Sequence, residues 1–219
     1  MSEVYIVRHG QAAFGTDDYD RLTELGWEQS RLLGEYCQAR ELHFDAVYTG
    51  SMRRHRETLA GLRDVLMTTP NAEELAGLNE YDFHSMVEAY LPTLDEELDL
   101  NDARDFYRLL RRALLAWSRD EIPGVKESWA QFEARVRGTM ASIAAQSGRV
   151  LVVTSGGASS AILREVLGLS VEKMIEINLQ ARNTGISQYF CKSGAFQLNS
   201  FNAVPHLEQP QDRHLITYT

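Results

Sequence analysis

Apolar positions along this chain follow two rhythms. Val4-Tyr5-Ile6-Val7 and Arg149-Val150-Leu151-Val152-Val153-Thr154 are near-continuous apolar runs rich in β-branched residues. Such runs predict strands buried on both faces of a parallel sheet. Ala46-Val47-Tyr48 predicts a third, short strand, and residues 70–80 a loop with a short strand in it. Residues 186–191 and 196–201 predict a closing hairpin around Ser193-Gly194.

Between the strands the spacing turns helical. Thr23 is placed to cap a helix from Glu24 to about Arg40, with Leu25, Leu32, Leu33 and Tyr36 on its apolar face. A basic helix opens after Thr49-Gly50-Ser51 and carries Arg53, Arg54, His55 and Arg56. A helical block runs from about residue 81 to 147, with breaks at Pro92, Leu98 to Asp102 and Pro123-Gly124. A last helix is expected from about Ser159 to Leu167. These elements predict an α/β fold, a three-layer sandwich with a mostly parallel central sheet and helices on both faces. A single domain over residues 1–219 is expected, its 81–147 block a cap over the sheet, with Asp95 to Asp105 as a solvated rim.

Composition narrows the partners. A formal charge of −9 argues against nucleic acid or an anionic membrane as the main partner. Any phosphate site would therefore be a local basic pocket on an acidic protein. Cys37 and Cys191 match no metal or redox spacing and read as reduced thiols. With no signal peptide and no membrane-spanning stretch in the sequence, the expected location is the cytoplasm.

The candidate chemistry lies where three strands end. Arg8, His9 and Gly10 follow the first strand at its carboxyl end, where open α/β sheets place ligand sites. An imidazole can attack, a guanidinium can clamp an anion, and a glycine admits close backbone. Most of the basic run reads as a solvated helix face, but one arginine at that strand-to-helix junction would sit beside His9. Ser155-Gly156-Gly157 closes the third strand, a geometry suited to an anion held by backbone N–H groups.

Taken together these motifs resemble the histidine phosphatase superfamily, of phosphoglycerate-mutase-like fold. Arg8-His9-Gly10 matches its signature; Thr49 through Leu59 resembles its second motif, and Leu22-Thr23-Glu24-Leu25-Gly26 with Gln29 its first helix. Asn202 to Leu207 resembles its usual ending. The resemblance implies that His9 is the nucleophile, that Arg8 and Arg54 clamp phosphate, and that Glu80 donates the proton. Gly10, Gln11, Thr23, Ser155 and Gly156 are the implied phosphate-binding positions. No cofactor or metal is implied. The implied partner is a small phosphate ester or a phosphorylated protein, and a homodimer stays open.

One position departs from the family, whose second histidine is here Ser155. Losing one charge-assisted hydrogen bond costs about 1.5–3 kcal/mol, or roughly ten- to two-hundredfold in rate. His84, Arg182 and His206 are candidates to fill the gap, although each reads better as a surface or core side chain. Residues 12–22 lack the asparagine and glycine-tryptophan pair usual in mutases, which favours hydrolysis over transfer. The alternative from another class is a non-catalytic phospho-ligand binding protein.

Overall fold

The computed structural model describes residues 1–13, 16, 18–94 and 102–218. Phe14, Gly15 and Asp17 of the first loop, and Asp95 to Asn101 of the acidic stretch read as a rim, lie outside the described residues.

In chain order the strands are β1 (Ser2–Arg8), β2 (Ala46–Thr49), β3 (Ala72–Glu74), β4 (Gly148–Thr154), β5 (Ile186–Lys192) and β6 (Ala195–Ala203). They form one sheet in the order β3-β2-β4-β1-β5-β6. β3, β2, β4 and β1 run parallel, and β5 is antiparallel to β1. Ser193 and Gly194 both take positive φ, 51° and 82°, the geometry that a tight two-residue hairpin between β5 and β6 demands.

The helices are α1 (Glu24–Ala39), α2 (Arg53–Arg63), α3 (Phe83–Tyr90), α4 (Ala103–Ser118), α5 (Trp129–Ala144), α6 (Gly156–Leu167) and α7 (Val171–Asn178). Helix α6 begins three residues earlier than the sequence suggests, so Gly156 and Gly157 form its first turn instead of a loop before it. Helix α7 was not foreseen; Ser170 starts it by accepting from the Lys173 N–H. Asp102, within the expected rim, caps α4 through the N–H groups of Arg104 and Asp105.

Strand alternation sorts the core to the two faces of the sheet. Val4, Ile6, Val150 and Val152 pack with Leu109, Phe132, Ile143 and Ile162 of α4, α5 and α6. Val7, Val47, Leu151 and Val153 pack with Leu33 of α1 and Leu59 and Leu62 of α2. Each such side chain contributes about 1.5–3 kcal/mol on burial. The helices between β3 and β4 share the first of these cores, because Tyr81, Trp117, Trp129 and Phe132 stack there edge to face and tilted.

Candidate active site

Strand register brings the expected residues together. Arg8 lies opposite Thr154 and Thr49 opposite Val153, so β1, β4 and β2 end side by side. The His9 N–H donates to the Thr154 carbonyl at 2.9 Å, and the His9 carbonyl accepts from Asn183 Nδ2 at 3.1 Å. Hydrogen bonds at both its N–H and its carbonyl therefore hold the His9 main chain.

The His9 ring is 2 % exposed and its tautomer follows from its neighbours. Arg54 Nε lies 3.2 Å from His9 Nε2, and a guanidinium only donates, so Nε2 carries the lone pair. Nδ1 then bears the proton and donates to the Gly10 carbonyl at 2.7 Å. Burial, with the nearby charges of Arg54 and Arg8, pushes the His9 pKa well below the ordinary histidine value. That shift keeps the ring neutral, with its lone pair on Nε2.

Two guanidinium groups flank it. Arg54 is 2 % exposed, ion-pairs with Asp20 Oδ1 at 2.8 Å and lies over the Tyr19 ring at 5.1 Å. Arg8 Nη1 donates to the Ala181 and Tyr218 carbonyls, whereas its Nε is buried and has no hydrogen-bond partner among the described residues. That Nε faces Gly156, where an added Cβ would come within 3.4 Å. An unpartnered guanidinium nitrogen beside the first turn of a helix is a place for an anion. Arg53 and Arg56 point outward, to Asp18, Glu57 and Glu74.

Glu80 stands at the same helix start. Its Oε2 accepts from the Gly157 N–H at 3.0 Å, favoured by the positive end of α6. A Cβ at Gly157 would fall 2.1 Å from Glu80 Oε1, so this glycine makes room for the carboxylate. Tyr81, bonded to Asn178 Nδ2 at 3.0 Å, and Arg135, bonded to the Gly77 and Asn79 carbonyls, fix the segment that carries it.

Other expected residues serve the frame around the site. Gly10 admits α1 more than a ligand: its N–H donates to Thr58 Oγ1, and a Cβ there would meet the Gly26 carbonyl at 2.5 Å. Thr23 caps α1 through the Gly26 N–H and donates to Gln11 Oε1, while the Gln11 N–H donates to Gln29 Oε1. Thr58, which also donates to the Arg54 carbonyl, was not among the expected residues.

Ser155 is fully buried, and its Oγ lies 2.6 Å from His55 Nε2. None of the three candidates to replace the family's second histidine reaches this spot. His84 is exposed and stacks on Phe83; Arg182 bonds to the backbone and side chain of Asn202; His206 is buried against Thr184 at 2.8 Å. The imidazole beside Ser155 is instead His55, 0 % exposed, whose ring centre is 5.7 Å from that of His9. A sequence signal existed, since His55, Leu59, Leu62 and Leu66 recur at the spacing of one helix face. The three arginines around His55 obscured it.

Among the described residues, no group of three or more His, Cys, Asp or Glu could hold a metal ion. No described helix is long and apolar enough to cross a membrane.

Comparison with known proteins gives this geometry a context. A family model, the histidine phosphatase superfamily (branch 1), matches residues 4–204. Phosphohistidine phosphatase SixA of Escherichia coli is 31% identical over 97 residues, 43% of this chain. That match spans 60% of the relative's length, short of two thirds. Phosphoserine phosphatase of Entamoeba histolytica, solved with phosphoserine, superposes with a TM-score of 0.66 at 16% identity, covering 94% of this chain and 100% of that one. α-Ribazole phosphatase of Shigella flexneri gives 0.63 at 21%, covering 92% and 96%. The phosphoglycerate mutase of Bacillus anthracis gives 0.63 at 19%, covering 94% of each chain. These structures share the fold of this chain.

Proposed function

We propose that this chain, which belongs to the histidine phosphatase superfamily, hydrolyses phosphate monoesters through a phosphohistidine on His9. The observation that carries the reading is the state of His9, a buried neutral imidazole with Nδ1 bonded to Gly10 and the Nε2 lone pair held by Arg54 Nε, a phosphate-binding group that an incoming anion can draw away.

In the first step His9 Nε2 forms a bond to phosphorus as the ester P–O bond breaks. Glu80 gives its proton to the departing oxygen. Arg8, Arg54, Ser155 and the Gly156 backbone hold the non-bridging oxygens and offset the charge that develops on them. In the second step Glu80 takes a proton from water, whose oxygen bonds to phosphorus as the N–P bond breaks. Inorganic phosphate leaves and His9 is regenerated. The Nδ1–H bond to Gly10 supports attack by steadying the ring as Nε2 becomes cationic.

The relatives' names span phosphohistidine and phosphoserine, so the test is a panel. Purified full-length protein is given p-nitrophenyl phosphate, phosphoserine, a phosphoglycerate and a phosphohistidine peptide, and released phosphate is measured. Turnover of at least one ester, abolished in His9→Ala, supports the reading. No turnover of any of them, or activity retained in folded His9→Ala, contradicts it.

A further inference from the structure

We infer that His55 is a positioning residue for phosphoryl transfer, holding the Ser155 hydroxyl so that its proton points at a phosphoryl oxygen bound beside His9. The inference rests on the reading of this pocket as a phosphate site and adds a residue to it.

Three observations carry it. His55 and Ser155 are both 0 % exposed and sit 2.6 Å apart, Nε2 to Oγ, with the His55 ring 5.7 Å from that of His9. Ser155 occupies the N-cap position of α6, yet its hydroxyl makes no capping bond and turns to His55 instead. The backbone is also shaped for this imidazole, because a Cβ at Gly50 would fall 2.2 Å from His55 Nδ1.

The hydrogen-bond chemistry then sets a direction. A phosphoryl oxygen accepts, so the serine beside it gives its single proton to it. Oγ must accept from its other neighbour, and His55 Nε2 must therefore carry the ring proton. Nδ1 faces the Gly50 backbone, whose carbonyl favours a ring proton on that side, so it is the bound anion that draws the proton to Nε2. Burial and the charge of Arg54 lower the His55 pKa well below the ordinary histidine value, and the Gly50 backbone raises it in part. Without His55 the hydroxyl is free to rotate, and its proton is no longer committed to the ligand. Helix α2 thus supplies, through a serine, an imidazole next to the end of β4.

The test compares wild-type protein with H55A, S155A, the H55A/S155A double variant and H55Q, whose amide N–H can still donate to Oγ. Steady-state hydrolysis of p-nitrophenyl phosphate and calorimetric affinity for orthovanadate are measured on each. The expected result is a kcat loss of roughly ten- to hundredfold in both single variants with little change in KM. The double variant is no worse than the poorer single, H55Q recovers most of the loss, and vanadate affinity follows the same order. Wild-type kcat in H55A, losses that multiply in the double variant, or H55Q no better than a folded H55A would overturn the inference. If H55A does not fold, H55Q against H55L decides: activity with Gln and loss with Leu supports it, and equal losses overturn it. If the wild type hydrolyses nothing, the phosphatase reading fails while the vanadate series still decides. Equal, non-additive weakening then supports the pair, and unchanged binding in H55A overturns it.

Discussion

Arg54 Nε donates to His9 Nε2 at 3.2 Å, while Nη1 of the same guanidinium ends on Asp20 Oδ1 at 2.8 Å. The lone pair proposed to attack phosphorus is thus engaged by the group proposed to clamp it. An incoming phosphate must draw Arg54 onto its own oxygens, which frees Nε2 at the moment the electrophile arrives.

Arg54→Ala should therefore be far more damaging than the loss of its neighbours. Two charge-assisted bonds at about 1.5–3 kcal/mol each imply a fall in kcat/KM of roughly a hundred- to ten-thousandfold. Arg53→Ala and Arg56→Ala break exposed ion pairs that contribute about 0–1 kcal/mol, and activity should stay within a few fold. Steady-state kinetics on the three variants checks this; equal effects would remove Arg54 from the clamp.

Were Ser155 the whole of what stands at this point, Ser155→His would supply a stronger donor and raise turnover. The space is already filled by His55, 2.6 Å from Oγ in a fully buried pair. Alone, the substitution should overpack the site and cost about 1–3 kcal/mol of stability, without a gain in rate. Combined with His55→Ala it should recover activity, because the imidazole is moved and not added. Melting curves and kcat of S155H and of H55A/S155H separate these outcomes. A more active single variant would show that the pocket is open at this point.

Glu80→Gln should have an effect that depends on the leaving group. With p-nitrophenol, a stable anion, protonation by Glu80 matters little, whereas an alkyl phosphate needs it, and general acid catalysis contributes roughly a hundred- to ten-thousandfold. Rates across a series of esters of rising leaving-group pKa should fall more steeply in the variant. Identical slopes would mean that the carboxylate held at Gly157 N–H serves the helix start alone.

Acid should destabilise the fold through its buried histidines. Burial lowers the His206 pKa to about 3, and His9 and His55 are also pushed well below the ordinary value. Their folded pKa values lie below the unfolded ones, so the unfolded chain takes up protons first as pH falls through about 6.5. Stability is thus complete above that pH and declines below it, by about 1.4 kcal/mol per pH unit for each ring. His206→Gln should remove about 2 kcal/mol from the stability difference between pH 7 and pH 5. Denaturant titrations at both pH values test it, and an unchanged difference would contradict the assignment.

The fold and half of the site could be read from the chain because they depend on local pattern. Val150 to Thr154 are buried on both faces, and of Val4 to Val7 only Tyr5 is half-buried, so their apolar runs are unbroken and the polar residues after them stand out. His55 was hidden because its helix alternates inward and outward charges, with Arg54 and His55 buried and Arg53 and Arg56 exposed. Composition averages over those faces, and only the stripe to Leu59, Leu62 and Leu66 separates them. Contacts such as Glu80 with Gly157 and Asp20 with Arg54 join residues far apart in sequence, and no periodicity reports them.

The central claim is that His9 Nε2 becomes phosphorylated. Rapid-quench of wild-type protein with a phosphate ester labelled at phosphorus, followed by alkaline digestion and mass mapping, measures this directly. The account predicts acid-labile, base-stable label on His9 within the first turnover, decaying at a rate compatible with kcat and absent in His9→Ala. Turnover without any labelled histidine, or label on another residue, would contradict it.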